Sequence, residues 1–476
     1  MLFNSIEFFF FLPTTFLIYW FIVQRNLTIQ NLFLIGISYL FYGWWDWRFL
    51  SLIIVSSTID FLIGHHLGKK TDPRTRTKLL IVSLVSNIGL LGTFKYFNFF
   101  SNSLAESLAI FDISLSPFTL NVVLPVGISF YTFQTLSYTI DIYRNKIKPT
   151  SSIISFFAFV AFFPQLVAGP IERAKNLLPQ FESKRTFNYE MATDGLKQIV
   201  CGLFKKMVIA DNCAFYVTTI FDNYTFYSGS TLLVGALFFT FQIYGDFSGY
   251  SDIAIGTAKL FGFKLMKNFN FPYFSRDIAE FWRRWHISLS SWFRDYLYIP
   301  MGGNRGSQKK VIRNVMITFI ISGFWHGANW TFIAWGTING LYFIPLLLAK
   351  KHKEHIRIVA ESRWFPSAKE VLQITTTFGL TTLTWVIFRS PTIADAWGYI
   401  SSIFSKTLLT LPEIRPTNII LLIIGFVIVE WIQRKKDHLL QFTKINKTGR
   451  WAMYYAAVIL IGWFGKNQAE FIYFQF

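Results

Sequence analysis

NVMITFIISGFWHGANWTFIAWGTINGLYFIPLLLA, from Asn314 to Ala349, holds one side chain that titrates near neutral pH, His326. A continuous helix of this length, at about 1.5 Å per residue, would overrun the roughly 30 Å hydrocarbon core of a bilayer. The stretch therefore either spans once at length or folds back as a tight hairpin. In both cases His326 lies at membrane depth. An imidazole there must be hydrogen-bonded, line a wet cavity or do chemistry, because an unsatisfied polar group in hydrocarbon costs several kcal/mol. A core histidine satisfied by Asn329 or by a carbonyl is the alternative to a functional one.

The rest of the chain carries the same pattern. Of 476 residues, 53% are hydrophobic and 15% charged, with 55 Phe, 21 Tyr and 16 Trp. Near-continuous apolar runs, without the alternation of a barrel, describe an all-α polytopic membrane protein. The net charge of +19 sits in short loops between the runs, so positive-inside topology accounts for it and nucleic-acid binding does not. Cys201 and Cys213 lack metal-ligand spacing and support neither a disulfide framework nor a thiol nucleophile. No metal site is expected. The N-terminal MLFNSIE has no basic n-region, which makes the first apolar run a retained span.

Apolar runs near Phe8 to Val23, Asn31 to Gly43, Phe49 to Gly64, Leu79 to Phe94, Leu120 to Ile140 and Ile153 to Leu166 open the chain. The basic loop HHLGKKTDPRTRTK between the third and fourth belongs in the cytoplasm, and alternation then puts the N-terminus outside. Glu172 to Arg185 and Gln198 to Ala210, with Lys205 and Lys206, break the alternation and are expected to be re-entrant or interfacial. After a span from Thr231 to Ile243, the stretch YGDFSGYSDIAIG presents Asp246 and Asp252, with Gly245 and Gly249 loosening the backbone between them. The aspartates either cap a helix at an interfacial turn or line a polar cavity. Asn268 to Lys310 mixes aromatic and charged residues too evenly for a span and ends in a Gly-rich turn. Further spans near Val371 to Phe388, Asn418 to Trp431 and Trp451 to Phe464 alternate with basic loops and place the C-terminus outside. The total is roughly 11–13 helices, re-entrant elements included, in a single integral-membrane domain over residues 1–476. Within it, 1–150 carries N-terminal helices, 151–350 the core with re-entrant segments and the active site, and 351–476 the C-terminal helices.

Five of the seven histidines, His65, His66, His352, His355 and His438, fall in basic loops where a solvated role is commonest. His286 and His326 remain. With an ordinary pKa of about 6.5, a neutral imidazole can take the proton of a hydroxyl as that hydroxyl attacks a carbonyl. Phosphate-loop and HExxH patterns are lacking, and the Gly302 to Gly306 turn is a weak nucleotide signal.

FWRRWHISLSSWFRDYLYIPMGGNRG (Phe281 to Gly306) and FWHGANWTFIAWGTING (Phe324 to Gly340) resemble the membrane-bound O-acyltransferase family, in particular its bacterial polysaccharide O-acetyltransferase branch. PVGISFYTFQTLSYTIDIYR (Pro125 to Arg144), FFPQLVAGPIER (Phe162 to Arg173), YGDFSGYSDIAIG (Tyr244 to Gly256) and EFIYFQF (Glu470 to Phe476) extend the similarity over nearly the whole chain, in order. The resemblance implies helices ringed around a central tunnel that joins a cytoplasmic donor, acetyl-CoA, to an external acceptor. It implies that His326 of the Trp-His-Gly motif is catalytic and that His286 of the Arg-Trp-His motif is the second active-site position, with a structural or donor-orienting role for His286 left open. It further implies a bacterial cytoplasmic membrane, an exported polysaccharide acceptor, and a separate periplasmic or extracellular SGNH-hydrolase-like acyltransferase as partner. D-alanyl transfer to teichoic acid is the alternative within the family. A glycan or lipid-intermediate transporter, which predicts an inverted repeat and intramembrane charge pairs, is the alternative outside it. With Arg313 at the cytoplasmic edge, His326 would lie about 20 Å along a helix, past the bilayer midplane.

Overall fold

The apolar runs become helices in a computed structural model that describes residues 1–442, 445–465 and 469–474. The protein is 72% helical, without a strand among the described residues. Among the described residues, five helical stretches are long and apolar enough to cross a membrane: Leu27–Lys69, Pro73–Ala109, Gly229–Leu260, Trp330–Leu348 and Ala368–Arg389. Ile6–Ile22 and Thr417–Gln433 are shorter apolar helices. The chain is a multi-pass membrane protein. Its contacts define two compact units, Met1–Gly195 with Thr257–Met266, and Leu196–Gly256 with Lys267–Phe476.

In the first unit, α2 (Leu50–Lys69) and α3 (Pro73–Leu91) pack on α4 (Ile128–Tyr143), whose residues from Ile128 to Ile142 are all buried, and α1 (Leu27–Asp46) packs on α2 and on Ile153–Ala161. Polar side chains join these helices. Asp60 of α2 accepts from Ser83 Oγ at 2.6 Å and Asn87 Nδ2 at 2.8 Å on α3, while Thr135 of α4 donates to Asn87 at 3.2 Å. With no hydrophobic drive between helices in lipid, such bonds and close packing hold a bundle together. The expected span from Leu120 is helical only from Ile128, because Pro125 disfavours helical backbone before it. His65 and His66 close α2 instead of lying in the loop beyond it.

The second unit is built on the part of α5 (Gly229–Leu260), an unbroken helix of 32 residues, that runs to Gly256. Of the two readings of Asp246 and Asp252, the interfacial turn is overturned, since both aspartates sit within the helix. Gly245 and Gly249 do not loosen it. Added Cβ atoms would meet the Lys205 carbonyl oxygen at 2.9 Å and the Gly202 carbonyl oxygen at 2.7 Å, so these glycines let α5 cross another helix at backbone contact. The crossing segment is a π-helix, Phe204–Ala210, between the α-helices Tyr189–Leu203 and Asp211–Asp222. Lys205 and Lys206, expected at an interface, are buried there against α5. The segment's irregularity is thus a π-turn within helix.

The opening stretch is a hairpin. The helices α6 (Gln308–His326) and α7 (Trp330–Leu348) are separated by Gly327, Ala328 and Asn329. Asn329 caps α7, accepting from Thr331 N at 3.0 Å, and it donates to the Pro391 carbonyl at 3.0 Å. Three glycines hold the two helices together: Cβ atoms at Gly323 and Gly336 would collide with the carbonyl oxygens of Phe332 and Phe319, and one at Gly340 would meet Met316 Sδ at 2.8 Å. Gly323→Leu is therefore expected to force α6 and α7 apart at a cost of about 1–3 kcal/mol. A fall in the melting temperature of the purified protein checks this. Beyond the hairpin lie α8 (Ala368–Arg389), α9 (Thr417–Gln433) and α10 (Lys447–Phe464).

Candidate active site

Between α5 and the hairpin the chain runs through two seven-residue helices, Ile278–Arg284 and Ile287–Phe293, and a π-helical turn, Arg294–Tyr298. This is the expected non-spanning element. Glu280 anchors the first short helix, taking Arg276 at 3.0 Å and Arg284 at 2.8 Å. The Gly-rich turn after it, with Gly302, Gly303 and Gly306 all at positive φ, is pinned by Asn314 Nδ2 to the Met301 and Gly303 carbonyls at 3.1 and 3.2 Å.

His286 sits at the joint of the two short helices with φ 44° and ψ 53°, a left-handed conformation costly for a non-glycine residue. Its surroundings enforce that geometry. The Asn268 carbonyl accepts from Ile287 N at 2.9 Å, Asn268 Oδ1 accepts from Ser288 N at 3.2 Å and Ser288 Oγ at 2.9 Å, and Asn270 N donates to the Arg284 carbonyl at 2.9 Å. Asn268 Nδ2 in turn donates to Ser251 Oγ of α5 at 3.0 Å. The backbone on both sides of His286 is therefore clamped.

His326 ends α6. Its ring lies 6.4 Å, centroid to centroid, from that of His286. The two histidines, forty residues apart in sequence, are 5% and 1% exposed and meet within one pocket of aromatic side chains. Trp325, Trp335 and Phe388 lie edge-on to the His326 ring at 5.0, 5.1 and 5.4 Å, and Phe247 of α5 meets the His286 ring at 4.6 Å. Trp335 stacks on Trp385 at 5.6 Å, and Trp385 lies 4.9 Å from Trp285, the residue before His286. A continuous indole wall thus links the two motifs.

A cavity of roughly 240 Å³ lies beside this wall. Trp282, 5.5 Å from Trp335, forms part of its lining, together with Arg294, Asn304 and His352. From α6 it takes Val315, Thr318, Phe319 and Ser322. These positions and His326 follow at helical spacing on one face, so the lined stripe leads to the imidazole. Burial, with Lys353 and Arg283 nearby, holds the His352 imidazole below its ordinary pKa and neutral at pH 7.

Several side chains gave no sign of their place in the sequence. Asn268, Phe247, Trp385 and Phe388 belong to the site only through tertiary packing. His438, expected in a solvated loop, is buried with its Nδ1 3.6 Å from Cys201 Sγ. The ionic network joins two segments: Lys205 pairs with Asp252 of α5 at 2.8 Å, and Lys206 pairs at 2.8 Å with both the nearby Asp211 and Asp246 of α5. Tyr244 donates to Glu430 at 2.6 Å. Charge pairs of the kind a transporter predicts are therefore present on α5.

Sequence comparison decides the class. The model of MBOAT, the membrane-bound O-acyltransferase family, matches residues 143–377. A Pseudomonas aeruginosa protein named "Probable alginate O-acetylase AlgI" is 40% identical over 436 residues, covering 91% of this chain and 80% of that one. The chain belongs to the membrane-bound O-acyltransferase family. It is an O-acyltransferase. A Helicobacter pylori relative named peptidoglycan O-acetyltransferase is 38% identical over 428 residues, 83% of this chain and 78% of its own. A Streptococcus thermophilus relative named teichoic acid D-alanyltransferase is 29% identical over 294 residues, 57% of this chain and 69% of its own. The family resemblance read from the two histidine motifs is borne out, and both motifs fall inside the matched region.

Proposed function

We propose that this O-acyltransferase moves an acetyl group from cytoplasmic acetyl-CoA toward hydroxyls of an exported cell-surface polysaccharide, with His326 as general base. The observation that carries the proposal is the meeting of His326 and His286 at 6.4 Å beside a cavity whose α6 lining leads to His326. The acetyl thioester enters through that cavity, at whose lining Arg294 is held by Asp295 at 2.8 Å. As an acceptor hydroxyl attacks the thioester carbonyl, the His326 imidazole takes its proton. The tetrahedral intermediate then expels the coenzyme A thiolate, which recovers the proton. Positioning does much of the remaining work, since a thioester is already a good electrophile. His286, fixed by the Asn268 clamp, orients the donor.

Acetyl is favoured over D-alanyl by the wider and higher identity to the relatives named for O-acetylation. Membership of an acyltransferase family stands against a transporter. The reading places the chain in a bacterial cytoplasmic membrane with both termini outside. Final transfer to the glycan falls to a separate SGNH-hydrolase-like acyltransferase with a serine nucleophile.

Inside-out vesicles supplied with labelled acetyl-CoA test the donor and its route together. Wild-type vesicles should release coenzyme A and transfer label, whereas Ser322→Trp, which fills the cavity beneath His326, should cut the rate at least tenfold without lowering the melting temperature. Labelled donor left unconsumed by folded wild-type protein would overturn acetyl-CoA as substrate. An undiminished rate in Ser322→Trp would remove the cavity from the route.

A further inference from the structure

We propose that the second unit binds an anionic phospholipid in the groove between α9 and α10, an acyl chain lying in the groove and the phosphate beside Lys447 and Arg450. The helices α9 and α10 pack on the π-helical segment Phe204–Ala210 rather than chiefly on each other. No residue of α10 is buried. Between the two helices lies a cavity of roughly 310 Å³, lined throughout by apolar side chains and one glycine. Phe204 forms its floor, Leu422 and Phe426 one wall, and Met453, Ala457 and Leu460 the other.

Lining and charge identify the occupant. An open slot lined only by apolar side chains and one glycine suits a flexible hydrocarbon chain. Arg450 stands one turn before Met453, with Ala457 and Leu460 continuing the same face, which puts its guanidinium over the end of the lined stripe. Lys447 lies one turn earlier. Among the described residues no carboxylate pairs with either cation. The neighbouring charges are already committed: Arg434 donates to the carbonyls of Val359, Ala360 and Arg363, Lys435 donates to that of Glu361, and Asp437 lies 3.6 Å from Lys267. Two uncommitted cations above an apolar slot match a headgroup of net negative charge, since basic residues at the bilayer surface attract anionic lipids. A zwitterionic headgroup would bring its own cation to the same place.

Occupancy would tie α10 to α9. The full chain, stripped of lipid in detergent, is mixed with phosphatidylglycerol or phosphatidylcholine and followed by native mass spectrometry and thermal unfolding. Retention of phosphatidylglycerol should exceed that of phosphatidylcholine at least tenfold and raise the melting temperature. The Lys447→Glu/Arg450→Glu variant should lose that preference while melting unchanged in lipid-free detergent. Ala457→Trp, which fills the groove, should bind neither lipid. Equal retention of both lipids, a preference that survives the charge reversal, or a membrane peptide recovered from the groove in their place would overturn the proposal. Acyltransferase activity is not a readout, so the outcome is independent of the donor and acceptor assignments.

Discussion

Replacing His326 with alanine is expected to lower O-acetyl ester formation by about 10²- to 10⁴-fold at matched protein levels, the usual contribution of a positioned general base. Alanine also strips the ring that Trp325, Trp335 and Phe388 pack around. A drop in activity could then come from collapse of the aromatic pocket. His326→Gln separates the two effects, because glutamine keeps polarity and most of the volume but has no basic nitrogen. Both variants should elute as monodisperse protein, and both should be inactive on the surface glycan. If His326→Gln keeps more than a tenth of wild-type acetylation, the base is another group and His326 is a packed core residue.

The fold class and the pair of histidine motifs were open to inspection before any coordinates, for a physical reason. Long apolar runs have few folded solutions in lipid, and an imidazole inside such a run is conspicuous because it is expensive there. The hairpin was legible as one of two options. What settles it is Gly327 and Asn329 at the turn and the glycine contacts of α6 with α7, whose meaning depends on what each glycine faces. The surroundings of His286 were not legible. Asn268 is a single polar residue eighteen positions upstream, and nothing local marks it as the clamp that holds a left-handed histidine. Lys205 and Lys206 looked like interface charges because polar residues in an interrupted helix resemble a surface face. Their partners on α5, Asp252 and Asp246, lie 47 and 40 residues away, and the π-turn that aims both lysines at α5 adds a register shift that helical periodicity does not foresee.

Lys206→Met is expected to cost about 3–5 kcal/mol, because it leaves Asp211 and Asp246 buried with no cation between them. The pair also holds the end of the chain. Lys206 Nζ donates to the Ala469 carbonyl at 3.0 Å, Asp246 Oδ2 accepts from Ile472 N at 2.7 Å, and Phe471 stacks on Tyr250 of α5 at 4.7 Å. Of the Glu470 to Phe476 motif, Gln475 and Phe476 lie outside the described residues. The same helix that carries Asp246 presents Phe247 to His286, so a shift in α5 reaches the candidate site directly. Lys206→Met should therefore lose both melting temperature and acetylation. The triple variant Lys206→Met/Asp211→Asn/Asp246→Asn distinguishes a charge effect from a packing effect, since a neutral set of similar volume can be as stable as the buried ions it replaces. Recovery of most of the lost stability in the triple variant is the expected result. If the triple variant melts as low as the single one, the lysine acts through its stem and its bond to Ala469, and the carboxylates contribute no penalty. Activity in the triple variant then reads a separate quantity: α5 can be restored while the chain end, deprived of the Lys206 ammonium, is not. A variant that regains its melting temperature but not its acetylation assigns the Ala469 to Phe474 segment a part in turnover beyond stability.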